Sequence, residues 1–267
     1  MIHLRSIEVR SFGGSAETYP FNLPVVQSLS TIEFKQPVTF FVGENGSGKS
    51  TVLESLACAT ESIAVGSESV KTDKTLEPVR KLGRSFKLVW QRRTHKGFFL
   101  RAEDFFGYAR NLRLMREDLE REVKAVDEEY KGRSKLATDL ARSAYLGQIA
   151  ALKQRYGRGL DLYSHGESFM TLFQSRFVPD GLYLLDEPEA ALSPTRQLAF
   201  LSALKEMVAQ DSQFVIATHS PIILAFPQAE IYQFAEGQVQ RVQYDDLEHV
   251  SLTRDFLNAP EAFLKHL

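Results

Sequence analysis

Apolar and polar residues alternate from Ile2 to Arg10, the period of a strand covered on one face. Residues 13–30 break that rhythm with Gly and Pro and read as a loop, and residues 30–34 read as a further short strand. Residues 37–43 are almost wholly apolar and stop at Gly43, as expected of a strand buried on both faces. Helical spacing follows over 47–60, and two more extended runs occupy 85–90 and 97–102. From 111 to 131 the pattern changes. Leu112, Met115, Leu119, Val123, Val126 and Tyr130 recur at steps of three and four residues among charged neighbours, which predicts a helix with a narrow apolar seam. Gly132 interrupts it and a second helical pattern runs to Tyr156, so a helix hairpin over 111–156 is expected. Beyond it, apolar runs over 181–186 and 213–218 flank the helical stretch 193–210. Strands alternating with helices predict a largely parallel sheet and an α/β fold.

A chain of 267 residues accommodates one large domain, or one domain with an insertion. The expectation is a single domain over 1–267 with a helical insertion at 105–160. The net charge of −2 and pI of 6.3 give no sign of a dedicated nucleic-acid binder and leave a local basic face open. One cysteine, Cys58, excludes an intrachain disulfide and fits a reducing compartment. No apolar run is long enough to span a bilayer and the N-terminus lacks signal-peptide character, so a cytoplasmic protein without membrane insertion is expected.

The strongest chemical signal is Gly43-Glu44-Asn45-Gly46-Ser47-Gly48-Lys49-Ser50, which satisfies G-x-x-x-x-G-K-[ST] between an apolar strand and a helix. Glycines let backbone N–H groups curl round phosphates, and the helix N-terminus adds positive potential. Lys49 would reach the β- and γ-phosphates and Ser50 would hold Mg²⁺, with Thr51 completing the nucleotide-binding run. Without nucleotide, Lys49 is expected to be a solvated charge. The bland alternative is a Gly-rich turn.

Such a loop needs a carboxylate on a neighbouring strand. Asp186 closes the apolar run 182–185 at the strand end where open α/β sheets bind ligands, and would hold Mg²⁺ through water. Glu187 is then placed to polarise the attacking water. Alternatively, both acids cap the next helix. His219 ends a third apolar strand and either senses the γ-phosphate or is structural. For Ser164-His165-Gly166-Glu167-Ser168 three readings stand: a surface turn, a metal site centred on His165, or a phosphate loop.

The order of these features resembles the ATP-binding cassette (ABC) family: P-loop, helical insertion, signature loop, Asp-Glu strand end, switch histidine. The resemblance implies an ABC-ATPase-like P-loop fold, a mainly parallel sheet flanked by helices with an N-terminal antiparallel β portion and a helical hairpin insertion. It also implies ATP hydrolysis with ATP and Mg²⁺, Glu187, His219 and Lys49 acting in catalysis. In the family the signature loop, roughly LSGGQ, binds the γ-phosphate held by a second protomer in a head-to-tail dimer. Ser164 and Gly166 match it, while His165 replaces a glycine and Glu167 a glutamine. An isolated helix cap is the alternative there.

Residues 186–194 resemble the DEPE-x-x-L-H-P pattern of the stand-alone ATPases grouped with the SMC proteins, RecF and the OLD nucleases, with Ser193 in place of histidine. That branch implies an ATP-dependent homodimer coupled to DNA or an effector protein, in repair or phage defence. The other readings are an ATP-binding subunit of a membrane transporter, or a slow nucleotide switch controlling a partner. The family's glutamine-loop position falls on Gln91 or, better by position, on Arg101 and Glu103, with a surface salt bridge as the structural alternative. Phe12, Tyr19 and Phe21 are the candidate adenine contacts.

Overall fold

The computed structural model describes residues 1–10, 17–66, 69–156 and 165–265. In chain order the elements are β1 (Leu4–Val9), α1 (Pro24–Ser28), β2 (Thr31–Glu33), β3 (Val38–Val42), α2 (Lys49–Ala59), α3 (Glu77–Gly83), β4 (Phe86–Trp90) and β5 (Gly97–Arg101). The long helices α4 (Ala102–Glu129) and α5 (Lys135–Tyr156) follow, then α6 (His165–Arg176), β6 (Leu182–Asp186), α7 (Pro194–Ala209), β7 (Gln213–Ala217) and α8 (Pro221–Leu224). The chain closes with β8 (Glu230–Ala235), β9 (Gln238–Val242), α9 (Glu248–Asn258) and α10 (Pro260–Leu264).

Two sheets form. The larger has six strands in the order β5-β6-β7-β3-β8-β9, parallel except for the β8–β9 hairpin. The smaller, β2-β1-β4, is antiparallel. Every residue of β3 and β7 is buried, as befits central parallel strands covered on both faces. Alternate residues enter separate cores. Phe40, Tyr183, Leu185, Phe214 and Ile216 meet α6 and α7, whereas Phe41, Leu184, Val215 and Ala217 meet α2, α3 and the smaller sheet. The P-loop strand and the Asp186 strand are not direct neighbours, because β7 lies between them. Registers Phe41↔Ala217 and Asp186↔Ala217 still bring their ends to one edge.

The stretch 13–30 is not all loop, since Pro24 opens the short helix α1 and buries Val25 and Val26. The hairpin is longer than the apolar pattern suggests, with α4 starting at Ala102 directly from β5. Gly132, at φ 90°, turns the chain between the helices. The seam is covered in part: Val126 is buried and Leu119, Val123 and Tyr130 half-buried, whereas Met115, Leu136 and Leu140 are exposed. An Arg142–Asp127 ion pair crosses between the helices.

Phe173 on α6 is fully buried, with ring centroids of Phe169, Phe177 and Phe200 within 4.5, 4.9 and 5.1 Å. This cluster fastens α6 to the sheet. Phe173→Ala is expected to lower stability by about 3–5 kcal/mol, read as a fall in the urea midpoint at constant slope. A loss below about 1 kcal/mol would show that α6 is held by something else.

Candidate active site

The loop after β3 needs its glycines for steric reasons. A Cβ on Gly43 would lie 2.3 Å from the Phe234 carbonyl oxygen on the adjacent strand. Gly48 caps α2 in the left-handed region, at φ 96°, with Val25 packed where a side chain would go. Lys49 follows as the first residue of α2. It is buried rather than solvated, correcting the sequence expectation, and its Nζ donates to the carbonyls of Gly43 at 2.7 Å and Glu44 at 3.0 Å. A buried ammonium requires such acceptors, and the loop's own curl supplies them. Burial pushes its pKa down, opposed by the nearby carboxylates of Glu187, Asp186 and Glu189.

Ser50 Oγ donates to Asp186 Oδ1 at 3.1 Å, so the two expected metal ligands meet although they are far apart in sequence. A hydroxyl and a carboxylate side by side are hard oxygen donors of the kind Mg²⁺ takes. Burial raises the Asp186 pKa to about 7; the Ser50 hydrogen bond works against this and the Glu54 and Glu187 charges add to it. Neither Asp186 nor Glu187 acts as the helix cap considered above. Asp186 bonds Ser50, and Glu187, at the N-cap of the 3-10 turn Pro188–Ala191, makes no side-chain cap bond. Glu187 sits in the left-handed region at φ 48°, its N–H held by the Ala217 carbonyl at 2.9 Å. Its Oε1 lies 3.6 Å from His219 Nε2, and both side chains are partly exposed. Burial and the Lys49 charge lower the His219 pKa, which favours the neutral imidazole.

Other candidates separate. Gln91 leaves β4 in the small sheet and donates from its N–H to His3 O at 2.7 Å. His3 in turn is fastened to Gln213, at the start of β7, so Gln91 lies at the wrong end of the parallel strands. Arg101 ends β5 in register with Asp186, on the correct edge. It is buried and bonds Asp104 at 2.7 Å, Asp73 at 3.2 Å and Glu54 at 3.4 Å, making a buried ion-pair hub instead of a surface pair. Glu103 follows it in the first turn of α4. Phe21 is a core residue, whereas Tyr19 is half-exposed and its hydroxyl lies 3.1 Å from Thr51 Oγ1. Phe12 and Ser164 lie outside the described residues, and Gly166 falls in the first turn of α6. Glu189, Gln197 and Glu54 were not singled out by sequence; the second acid of the Glu187-Pro-Glu189 triplet was the available signal. Among the described residues no helix is long and apolar enough to cross a membrane.

Two family models match the chain. Residues 20–148 match one described as "AAA domain", and residues 168–225 match one described as "AAA domain, putative AbiEii toxin, Type IV TA system". An "Uncharacterized ABC transporter ATP-binding protein" of Haemophilus influenzae is 29% identical over 245 residues, 89% of this chain and 85% of that one. The "Cobalt import ATP-binding protein CbiO" of Salmonella typhimurium is 24% identical over 248 residues, 88% of this chain and 84% of that one. Similar solved structures include the Smc head domain of Pyrococcus furiosus bound to the C-terminal domain of ScpA, with TM-score 0.47, 12% identity and coverage of 92% and 98%. Another is cbiO1 of Clostridium perfringens, with TM-score 0.47, 15% identity and full coverage of both chains.

Asp186 gives a pH test. Its carboxyl ionises near pH 7 in the fold but near 4 in an unfolded chain. At this site stability is therefore complete below about pH 4 and is lost as pH rises through about 7. Without nucleotide or metal, Asp186→Asn is expected to melt higher than the parent at pH 8, by on the order of 1–4 kcal/mol. The advantage should shrink toward pH 4. Superimposable melting curves at pH 8 would mean that this carboxylate carries no burial penalty.

Proposed function

We propose that this chain, a P-loop ATPase of the SMC/ABC type, closes head-to-tail on ATP as a homodimer and couples that closure to DNA or an effector partner. The observation that carries the reading is the convergence of Ser50 with Asp186 at 3.1 Å and of Glu187 with His219 at 3.6 Å on one sheet edge. Lys49 and the N–H groups of residues 43–51 would bind the phosphates. Ser50 and Asp186 would hold Mg²⁺, which supplies positive charge against the phosphate oxygens. Glu187 would accept a proton from the attacking water, and His219 would keep that carboxylate oriented. Ser164 and Gly166 of one protomer would complete the site of the other by meeting the γ-phosphate. Tyr19, beside Thr51, is the aromatic best placed to meet the base.

Coupling to an effector is favoured by the AAA-domain match over 168–225, whose description includes a toxin system, and by the long charged hairpin of α4 and α5. A second reading, energising a membrane transporter, is favoured by the ABC transporter ATP-binding relatives. Affinity purification with Glu187→Gln, which stabilises the closed ATP state in this reading, separates the two. DNA or a non-membrane effector supports the first, and a membrane permease the second.

Three biochemical outcomes test the site itself. Glu187→Gln should bind ATP yet hydrolyse it about 10²–10⁴-fold more slowly, and unchanged turnover would move the catalytic role elsewhere. Lys49→Ala should lose ATP binding by calorimetry. Ser164→Arg should leave monomer affinity for ATP nearly unchanged but block dimerisation. ATP-induced dimers that persist by light scattering in the Ser164→Arg/Glu187→Gln double variant would show that residue 164 sits in a plain surface turn.

A further inference from the structure

Glu187 and His219 follow closely on the ends of β6 and β7, and their side chains are partly exposed. Their 3.6 Å approach therefore depends on what holds the two loops from beneath. Three links do so. The Glu187 N–H donates to Ala217 O at 2.9 Å. The half-buried Glu189 accepts the backbone N–H of His219 on Oε1 at 2.6 Å. The buried Gln197, on α7, spans the gap from the other side. Its Nε2 donates to Leu192 O at 3.1 Å, and its Oε1 accepts the hydroxyl of Ser220, the residue after His219. Ser220 is fixed in turn by the Ile223 N–H at 3.2 Å and by its own N–H to Thr218 Oγ1 at 3.0 Å.

We propose that Glu189 and Gln197 are positioning residues for hydrolysis: two struts that lock the loop 187–192 to the loop 217–220 and hold His219 against Glu187. Neither side chain needs to touch nucleotide. A histidine held only by its own strand end would sample rotamers and loop positions at random relative to the carboxylate. With its N–H anchored at Glu189 and the next hydroxyl at Gln197, the backbone that carries the imidazole cannot swing independently of the loop that carries Glu187. This inference rests on the catalytic role given to His219 above.

The test is steady-state ATP hydrolysis by the full chain with Mg·ATP, for Glu189→Ala, Glu189→Gln, Gln197→Leu, His219→Ala and Glu189→Ala/His219→Ala. Misplacing a catalytic group by an ångström costs up to about 100-fold, so Glu189→Ala should lower kcat about 10–100-fold. KM should stay within about threefold, because ground-state nucleotide binding is not touched. Gln197→Leu should do the same more weakly. Glu189→Gln keeps an acceptor oxygen of the same reach and should recover most of the rate. In the His219→Ala background, Glu189→Ala should cost less than about twofold more, since there is no imidazole left to position.

A full multiplicative loss in that double variant overturns the proposal, as does a Glu189→Ala kcat within about twofold of the parent. If Glu189→Ala fails to fold, Glu189→Gln decides alone: a rate as low as that of His219→Ala overturns the acceptor role, and near-parental kcat supports it. His219→Ala at the parental rate overturns both this inference and the catalytic reading of His219, whereas multiplicative behaviour overturns this inference only.

Discussion

Parallel pairing of β7 with β3 on one side and β6 on the other is the constraint on which the chemistry depends. β7 is buried along its length, so its register cannot slip without moving every apolar side chain into the wrong core. That register sets Phe41, Ala217 and Asp186 in one row. The P-loop, His219 and the acidic pair each leave the sheet within a residue or two of this row. Their proximity is thus a property of hydrogen-bonded strands, and the loops only choose how each group leans.

The charges that converge there compensate one another locally. Lys49 lies among Asp186, Glu187 and Glu189, and burial acts against its charge as it acts against those of Asp186 and Glu189. Lys49 satisfies itself on the loop carbonyls and Asp186 on Ser50. In the proposed function a nucleotide would exchange for those bonds.

Local requirements were legible in the sequence and nonlocal ones were not. Gly43 and Gly48 announce themselves because backbone closeness admits nothing larger, and β3, β6 and β7 because strands covered on both faces must be apolar throughout. The hairpin showed through its period, yet α4 begins earlier, at Ala102, where Asp104 is tied to Arg101. The order of strands escaped: nothing in residues 37–43 or 182–186 says that β7 intervenes. Lys49 was expected in solvent because a lysine in a Gly-rich loop looks exposed until the fold closes over it. Arg101 was read as a glutamine-loop position or a surface pair, since its acids at 54, 73 and 104 are spread along the chain. Glu189 and Gln197 were passed over because their partners are a backbone N–H and a hydroxyl, which leave no mark in composition.

The Arg101 hub has a mechanical side. It ties Glu54, one turn beyond Ser50 on α2, to Asp104 at the root of α4. From that root α4 runs 28 residues, about 42 Å at 1.5 Å per residue. A helix of that length is a lever arm with its fulcrum beside the P-loop helix. A tilt of ~10° at the fulcrum carries the far end through about 7 Å, the width of more than one helical turn. In the proposed function, small adjustments around Ser50 and Asp186 would be geared up by that arm toward a partner macromolecule.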